Sequence, residues 1–361
     1  MPSAGDPART ARRRRQRLMR IGSFVLAGQY PGQGHGEALH RAVRSAEVAE
    51  EAGFESVWLA EHHFVPYGTC PSAVTLAALL LGRTRRLRVG TAVSVLPTAH
   101  PVALGEQAAL LHLAAEGRFS LGVGRGGPWV DLEVFGSGLD AFERHFPESL
   151  DLLLRWLREG RVGASGERYA FREVSVVPRP AQALLPGQPG PEVVVACTSP
   201  GTVRLAARRG LPMLLGMHAR DEEKAAMVAL WRTEARAAGL APERIDSAAH
   251  VSAGVLQLAD GDAEARDTLV KAMPEWFREG LGAHVTVDGR QRRMRDPVAY
   301  TEFLCGIHPV GTPETAARRL AATAERTGIT RFALLAEGSG DLATTEANLR
   351  RAGAELLPLL G

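Results

Sequence analysis

The feature that most limits the fold of this chain is the regular alternation of short apolar segments with longer amphipathic segments. Near-continuous apolar runs such as Val57-Trp58-Leu59 are typical of parallel strands that helices bury on both faces. The predicted strands are residues 21–26, 56–59, 86–95, 119–123, 193–196, 213–216, 250–258 and 331–336. Eight strands alternating with helices, with no composition break between them, predict an α/β fold with one (β/α)8 TIM barrel over residues 20–361.

The segments between the strands have the pattern of helices. The predicted helices are residues 40–52, 71–81, 101–115, 141–159, a helix that ends at 209, 221–238, 263–278 and 343–359. Residues 160–190 are rich in Pro, Gly and Arg, which predicts an excursion with a small hairpin.

Positive charge is concentrated at the start of the chain. Residues 1–20 hold seven arginines and one aspartate, a local charge of +6, so residues 21–361 carry 3 − 6 = −3. Residues 1–19 are predicted to be a disordered Arg-rich leader. The leader has no aromatic residues for base stacking and the body offers no obvious basic groove, so we expect no nucleic-acid partner.

Membrane and metal partners are not expected either. No stretch approaches the roughly 18 apolar residues that a membrane helix needs, and no secretory apolar region follows the basic start, so we expect a cytoplasmic protein. The three cysteines, Cys70, Cys197 and Cys305, are widely spaced, which suits a reducing compartment and gives no metal-binding pattern.

The predicted second strand runs directly into Glu61, His62 and His63. The carboxyl ends of parallel strands are where catalytic groups collect in such folds, so these three are the first candidates for chemistry. A histidine at a strand end can equally be a packed or capping residue, and spacing alone leaves both interpretations open.

Several blocks in order along the chain carry a resemblance to a known family. They are Trp58-Leu-Ala-Glu-His-His-Phe64, Val89-Gly-Thr-Ala92, Val95-Leu-Pro-Thr-Ala-His-Pro101, Gly117-Arg-Phe119, Arg125-Gly126, Val134-Phe-Gly136, Ala206-Ala-Arg-Arg-Gly-Leu-Pro-Met213 and Pro309-Val-Gly-Thr-Pro-Glu314. Together they resemble the bacterial luciferase-like flavin monooxygenases, with the greatest similarity to the luciferase alpha chain. The resemblance implies a (β/α)8 barrel. It also implies reduced FMN and molecular oxygen, which form a C4a-(hydro)peroxyflavin that delivers one oxygen atom to a small organic substrate.

The same resemblance implies roles for particular residues and partners. His62 takes the acid/base place, able to exchange a proton near neutral pH, and His63 is a second, weaker catalytic candidate. A non-proline cis peptide is implied at Ala92-Val93, under the flavin ring. The other cofactor-binding positions are Gly124, Arg125, Ala196, Cys197, Thr198, Ser199 and Met217. A separate flavin reductase and a homodimer are the implied protein partners.

The phosphate of a flavin needs cations and N–H donors at one end of the barrel. Arg125, after the fourth strand, and Thr198 with Ser199, after the fifth, can supply them. The alternatives are a surface ion pair for Arg125 and an ordinary helix N-cap for the two hydroxyl residues. Gly122 and Gly124 let the backbone approach a flat ligand, but they form no dinucleotide-binding fingerprint because no helix starts directly on them.

Residues 279–300 are predicted to form a mobile flap. The stretch contains four arginines and three glycines and has no helical or strand periodicity. A surface loop without a role is the alternative, and the resemblance favours the flap.

Two departures from the luciferase alpha chain leave the substrate open. Gly124 stands where that chain has a reactive cysteine, and Met217 where it has a tryptophan near the flavin. An aldehyde substrate is therefore not implied. Two other functions remain: a hydride-transferring oxidoreductase of the same fold that uses the deazaflavin F420, and a non-catalytic luciferase-like subunit.

Overall fold

Eight parallel strands close into a barrel. The computed structural model describes residues 19–180, 190–290 and 295–360. The barrel strands are β1 Arg20–Val25, β2 Ser56–Leu59, β3 Arg88–Thr91, β4 Phe119–Gly124, β5 Glu192–Cys197, β6 Met213–Leu215, β7 Val251–Val255 and β8 Arg331–Leu335. Each strand pairs in parallel with its neighbours in the chain, and β8 pairs with β1, which closes the ring. The predicted (β/α)8 barrel is confirmed.

Helices surround this barrel. They are α1 His35–Glu51, α2 Ala73–Arg83, α3 Pro101–Ala114, α4 Asp131–Val134, α5 Gly138–Glu143, α6 Phe146–Arg158, α7 Pro200–Arg208, α8 Asp221–Ala237, α9 Pro242–Asp246, α10 Asp262–Gly282, α11 Pro297–Ile307, α12 Pro313–Thr327, α13 Leu342–Arg351 and α14 Leu357–Leu360, with a π-helical turn at Ala352–Leu356. Short strands lie at Ser94–Val95, Gln257–Leu258 and Val310–Gly311, and the predicted hairpin is formed by Arg161–Ser165 and Ala170–Ser175.

Alternation along the strands divides the core into layers, because successive side chains of a strand face opposite sides. On β5, Val194 belongs to the interior of the barrel and Val195 to the layer under the helices. The interior cluster continues upward into Met273, Trp276 and Phe277 of α10. This helix therefore roofs the carboxyl end of the barrel.

The amino-terminal end of the barrel is filled by side chains. Arg331 Nη1 lies 2.7 Å from Glu192 Oε1, and its guanidinium stacks over the Trp58 ring at 5.0 Å from the centroid. A Cβ on Gly90 would lie 2.6 Å from Trp58 Cε3, so the indole depends on that glycine. Because this end is plugged, a ligand that binds within the barrel would enter from the carboxyl end.

Several predicted elements differ in detail. The strand predicted over 86–95 is interrupted after Thr91, where the Ala92-Val93 peptide is cis. The helix predicted over 141–159 is two helices, α5 and α6, with Pro147 in the first turn of the second. Helices α11 and α12 were not predicted. The proposed leader falls almost wholly outside the described residues, and no helix within them is long and apolar enough to cross a membrane.

Candidate active site

His62 lies at the carboxyl end of β2 with its ring packed edge-on against Tyr67, 5.0 Å between centroids. Its Nδ1 is buried and has no hydrogen-bond partner among the residues that the structure describes. Burial, with smaller contributions from His284 and His63, lowers the pKa of His62 to about 3. The imidazole is therefore neutral near pH 7, because desolvation disfavours its charged form. The acid/base role of His62 stays a prediction.

His63 points in a different direction from His62, as alternation on extended backbone predicts. Its ring packs edge-on against Phe135 at 5.0 Å, and its Nε2 lies 3.7 Å from Glu61 Oε1. Phe64 follows with a φ of +61° and is 57% exposed, next to Phe135, which is 47% exposed. His63 thus sits between the site and an exposed aromatic patch formed by Phe64 and Phe135.

The segments after β3 and β4 form a close-packed floor. The implied cis peptide between Ala92 and Val93 is present. A Cβ placed on Gly124 would overlap Val93 Cγ2 and would lie 3.5 Å from the Ala196 Cβ. This chain therefore has no room for a side chain at position 124 unless Val93 moves.

Arg125 and the start of α7 lie at adjacent strand ends, since β4 and β5 pair in register. The Arg125 guanidinium stacks on the Phe142 ring at 4.2 Å and forms no ion pair with a carboxylate of the described residues. Thr198 is exposed. Ser199 caps α7: its Oγ accepts from Thr202 N at 3.4 Å, while the Thr202 hydroxyl accepts from Ser199 N at 3.3 Å.

Thr202 is a residue of this rim that the sequence analysis missed. A serine followed three residues later by a threonine is the local signal of a reciprocal cap, and that signal could have identified it. The first turn of α7 holds no acidic side chain, so the N-terminus of this helix keeps its positive potential.

The remaining predicted cofactor residues face different layers. Ala196 and Met217 belong to the interior of the barrel, and the Met217 carbonyl accepts a hydrogen bond from His308 Nε2 at 2.6 Å. Cys197 instead lies in the layer under the helices, and burial raises the pKa of its thiol to about 12. Its side chain faces away from the barrel interior, so only its backbone can line the site.

The predicted flap is partly helical. Residues 279–282 belong to α10, because its buried face continues to Gly280, where a Cβ would lie 2.7 Å from Tyr67 Cα. Residues 297–300 begin α11, which Asp296 caps by accepting from Ala299 N at 2.8 Å. The prediction of no helical structure is wrong at both ends, and residues 291–294 lie outside the described residues.

Between these helices, the segment 283–290 crosses the carboxyl rim. Val130 N donates to Val285 O and Val287 N donates to Pro128 O, both at 2.9 Å. The His284 ring lies 4.7 Å from that of Trp129. This segment therefore rests on the chain that follows β4, above the site.

Asp131 is a buried acid that interacts with His63 and His284, and it was not predicted. It is 5% exposed, and burial raises its pKa, while His63 and His284 act in the opposite direction. No local pattern marks this residue, since its neighbours come from distant parts of the chain. Among the described residues, no group of three His, Cys, Asp or Glu side chains has the arrangement of a metal site.

The sequence matches one family model and its curated members. The model described as luciferase-like monooxygenase matches residues 19–331. An alkanal monooxygenase alpha chain of Photorhabdus luminescens is 30% identical over 359 residues, which cover 95% of this chain and 98% of the relative.

Solved structures share the fold. Monooxygenase RslO1 from Streptomyces bottropensis superposes with a TM-score of 0.80 at 25% identity, covering 95% of this chain and all of that one. The oxygenating constituent of 3,6-diketocamphane monooxygenase from Pseudomonas putida, solved in complex with FMN, gives 0.75 at 22% identity, covering 95% and 98%. An F420-dependent secondary alcohol dehydrogenase, solved with an F420-acetone adduct, gives 0.70 at 17% identity, covering 95% and 99%. Both cofactors thus occur among neighbours of this fold.

Proposed function

This chain belongs to the luciferase-like monooxygenase family, and from that premise we propose that it uses reduced FMN and dioxygen to insert one oxygen atom into a small organic substrate. The observation that carries the proposal is the rim where the cis Ala92-Val93 segment, the side-chain-free Gly124 and Arg125 come together. Because Gly124 has no side chain, Val93 packs directly against the backbone there, and the segments after β3 and β4 form a close-packed surface on which a flat ring system would lie.

The residues present fit a flavin phosphate beside that surface. Arg125 has no carboxylate partner among the described residues, so its donors are available to an anion. The exposed hydroxyl of Thr198 and the N–H groups at the start of α7 lie at the next strand end, and a helix N-terminus favours an anion. Arg125, Thr198, Ser199 and Thr202 would hold the phosphate.

Reduced FMN, when bound, supplies the electrons that activate dioxygen. The proposed role of His62 is to accept or hold a proton on its imidazole ring. Burial keeps that ring neutral near pH 7, so it would work from the neutral form and not as a cationic acid. His63, beside Glu61, is the second candidate, one contact further from the interior.

Water must be excluded for oxygen transfer to be productive. We assign this task to the roof above His62, in which the rings of Tyr67 and Trp276 stack at 5.0 Å, and to the segment 283–290 of the predicted flap. The position of the segment 283–290 across the rim supports this role. Deleting residues 285–290 should preserve FMN binding and uncouple oxygen consumption from product formation.

We also propose two protein partners. The first is a separate flavin reductase that supplies reduced FMN, as the resemblance to the luciferase-like flavin monooxygenases implies. The exposed Phe64 and Phe135, with the 58% exposed Val134, form an apolar patch that fits a homodimer interface.

The function is tested by binding and reoxidation. Anaerobic titrations with reduced FMN and reduced F420 should show FMN binding at least about tenfold tighter. His62→Ala should keep the FMN dissociation constant within a factor of a few and change the time course of reoxidation after mixing with dioxygen. Preference for F420 would identify the hydride-transfer alternative, and binding of neither would identify a non-catalytic subunit.

A further inference from the structure

Glu61 is assigned no proton transfer above and only lies beside His63, 3.7 Å from its Nε2, yet its side chain is deeply engaged at the rim. It is 10% exposed. Its Oε1 accepts a hydrogen bond from Val95 N at 2.9 Å, and its Oε2 accepts one from Ala73 N at 3.1 Å. One carboxylate therefore joins two backbone segments that are 22 positions apart in the chain.

The first of these segments leads to the floor of the site. Val95 lies two residues after the cis peptide, and Ser94–Val95 pairs with Val123–Gly124. A Cβ on Gly126 would lie 2.8 Å from Val95 Cγ1, so Val95 also packs directly on the turn that follows Arg125. The position of the Val95 amide therefore determines where the segments on both sides of the proposed flavin surface lie.

The second segment is the start of α2. Ala73 is the first residue of this helix, and the first N–H groups of a helix have no partner within it. The N-cap Ser72 accepts from Thr75 N at 3.2 Å, and Glu61 supplies the acceptor for Ala73. A negative group at this helix end also interacts favourably with the helix dipole.

We propose, on the basis of the function proposed above, that Glu61 is a positioning residue. Its carboxylate holds the Val93–Val95 segment against the start of α2, and so sets the spacing between His62 and the flavin surface. The two acceptor oxygens are both required, because both neighbours are N–H donors. A glutamine could offer its single oxygen to one amide and would turn its own N–H groups toward the other.

The test compares Glu61→Gln with Glu243→Gln, an exposed control on α9. Hydrogen exchange is measured on the full chain without flavin, at peptides that contain Val95 and Ala73. The exchange rate of one or both amides should rise roughly tenfold in Glu61→Gln, as expected for a lost hydrogen bond, with core strands unchanged. The dissociation constant for FMN should rise by about the same factor, and neither should change in the control.

Unchanged exchange at both amides would overturn the proposal. So would a uniform rise over the whole chain, which would show a purely structural role. If Glu61→Gln does not fold, Glu61→Asp takes its place, because it keeps the charge but is one methylene too short to reach both amides. Failure of both variants to fold would also overturn a positioning role. If the wild type does not bind FMN, the proposed function fails. The exchange data still show whether Glu61 holds the amides of Val95 and Ala73.

Discussion

Replacing Arg125 with alanine is expected to weaken FMN binding by about 1.5–3 kcal/mol, or roughly 10- to 150-fold in dissociation constant. This is the range for a hydrogen bond to a charged group, and it applies because no carboxylate of the described residues engages the guanidinium. Among the described residues, the variant loses the stacking of the Arg125 guanidinium on Phe142 at 4.2 Å, a contact worth about 0.5–1 kcal/mol at a partly exposed site. Folding and binding effects should therefore separate.

The assay is a fluorescence titration of the wild type and the variant with FMN and with riboflavin, which lacks the phosphate. If Arg125 binds the phosphate, the loss should be seen with FMN and be absent with riboflavin. Arg236→Ala, an exposed change in the last turn of α8, is the matched control and should leave both constants unchanged.

Two results would refute this reasoning. An unchanged FMN dissociation constant in Arg125→Ala would remove the residue from the site. An equal loss of affinity for FMN and riboflavin would show that Arg125 supports the ring surface and not the phosphate.

Three further predictions concern stability. Gly68→Ala would bring a Cβ to 2.6 Å from His62 Nδ1 and should cost about 1–3 kcal/mol by overpacking; urea unfolding within roughly 0.5 kcal/mol of wild type would contradict this. Burial lowers the pKa of His308 to about 3, so between about pH 6.5 and that value the unfolded state binds a proton that the native state does not. The neutral His308 contributes fully to stability above pH 6.5, and below that pH the free energy of unfolding falls by about 1.4 kcal/mol per pH unit. His308→Gln should make the fall shallower by the amount due to this one proton. Arg41 and Glu337 form a buried pair 3.6 Å apart, both 1% exposed, so Arg41→Met should cost about 3–5 kcal/mol, and adding Glu337→Gln should restore part of it. If Arg41→Met alone is as stable as the wild type in thermal unfolding, the pair does not stabilise the fold.

The sequence alone determined the architecture because the relevant signals are local. Strand β2 was predicted at its observed bounds, since a short apolar run next to helix-forming residues can be recognised within ten positions. Once a parallel barrel is predicted, the carboxyl ends of its strands must meet at one rim. His62, Arg125 and Ser199 could therefore be grouped although they are far apart in the chain.

The tertiary structure decided how those residues are surrounded. The low pKa of His62 depends on burial and on His284, which is 222 positions away, and no local pattern reports such a neighbour. The sequence shows that Gly124 lacks a side chain, but only packing shows that Val93 occupies the space beside it. Helix α11 was not predicted because it begins directly after an arginine-rich stretch. Its first residues were grouped with that stretch, although Asp296 is an N-cap residue. Periodicity records which face of an element is buried, whereas charge, space and hydrogen-bond partners at a site depend on which distant segments the fold brings there.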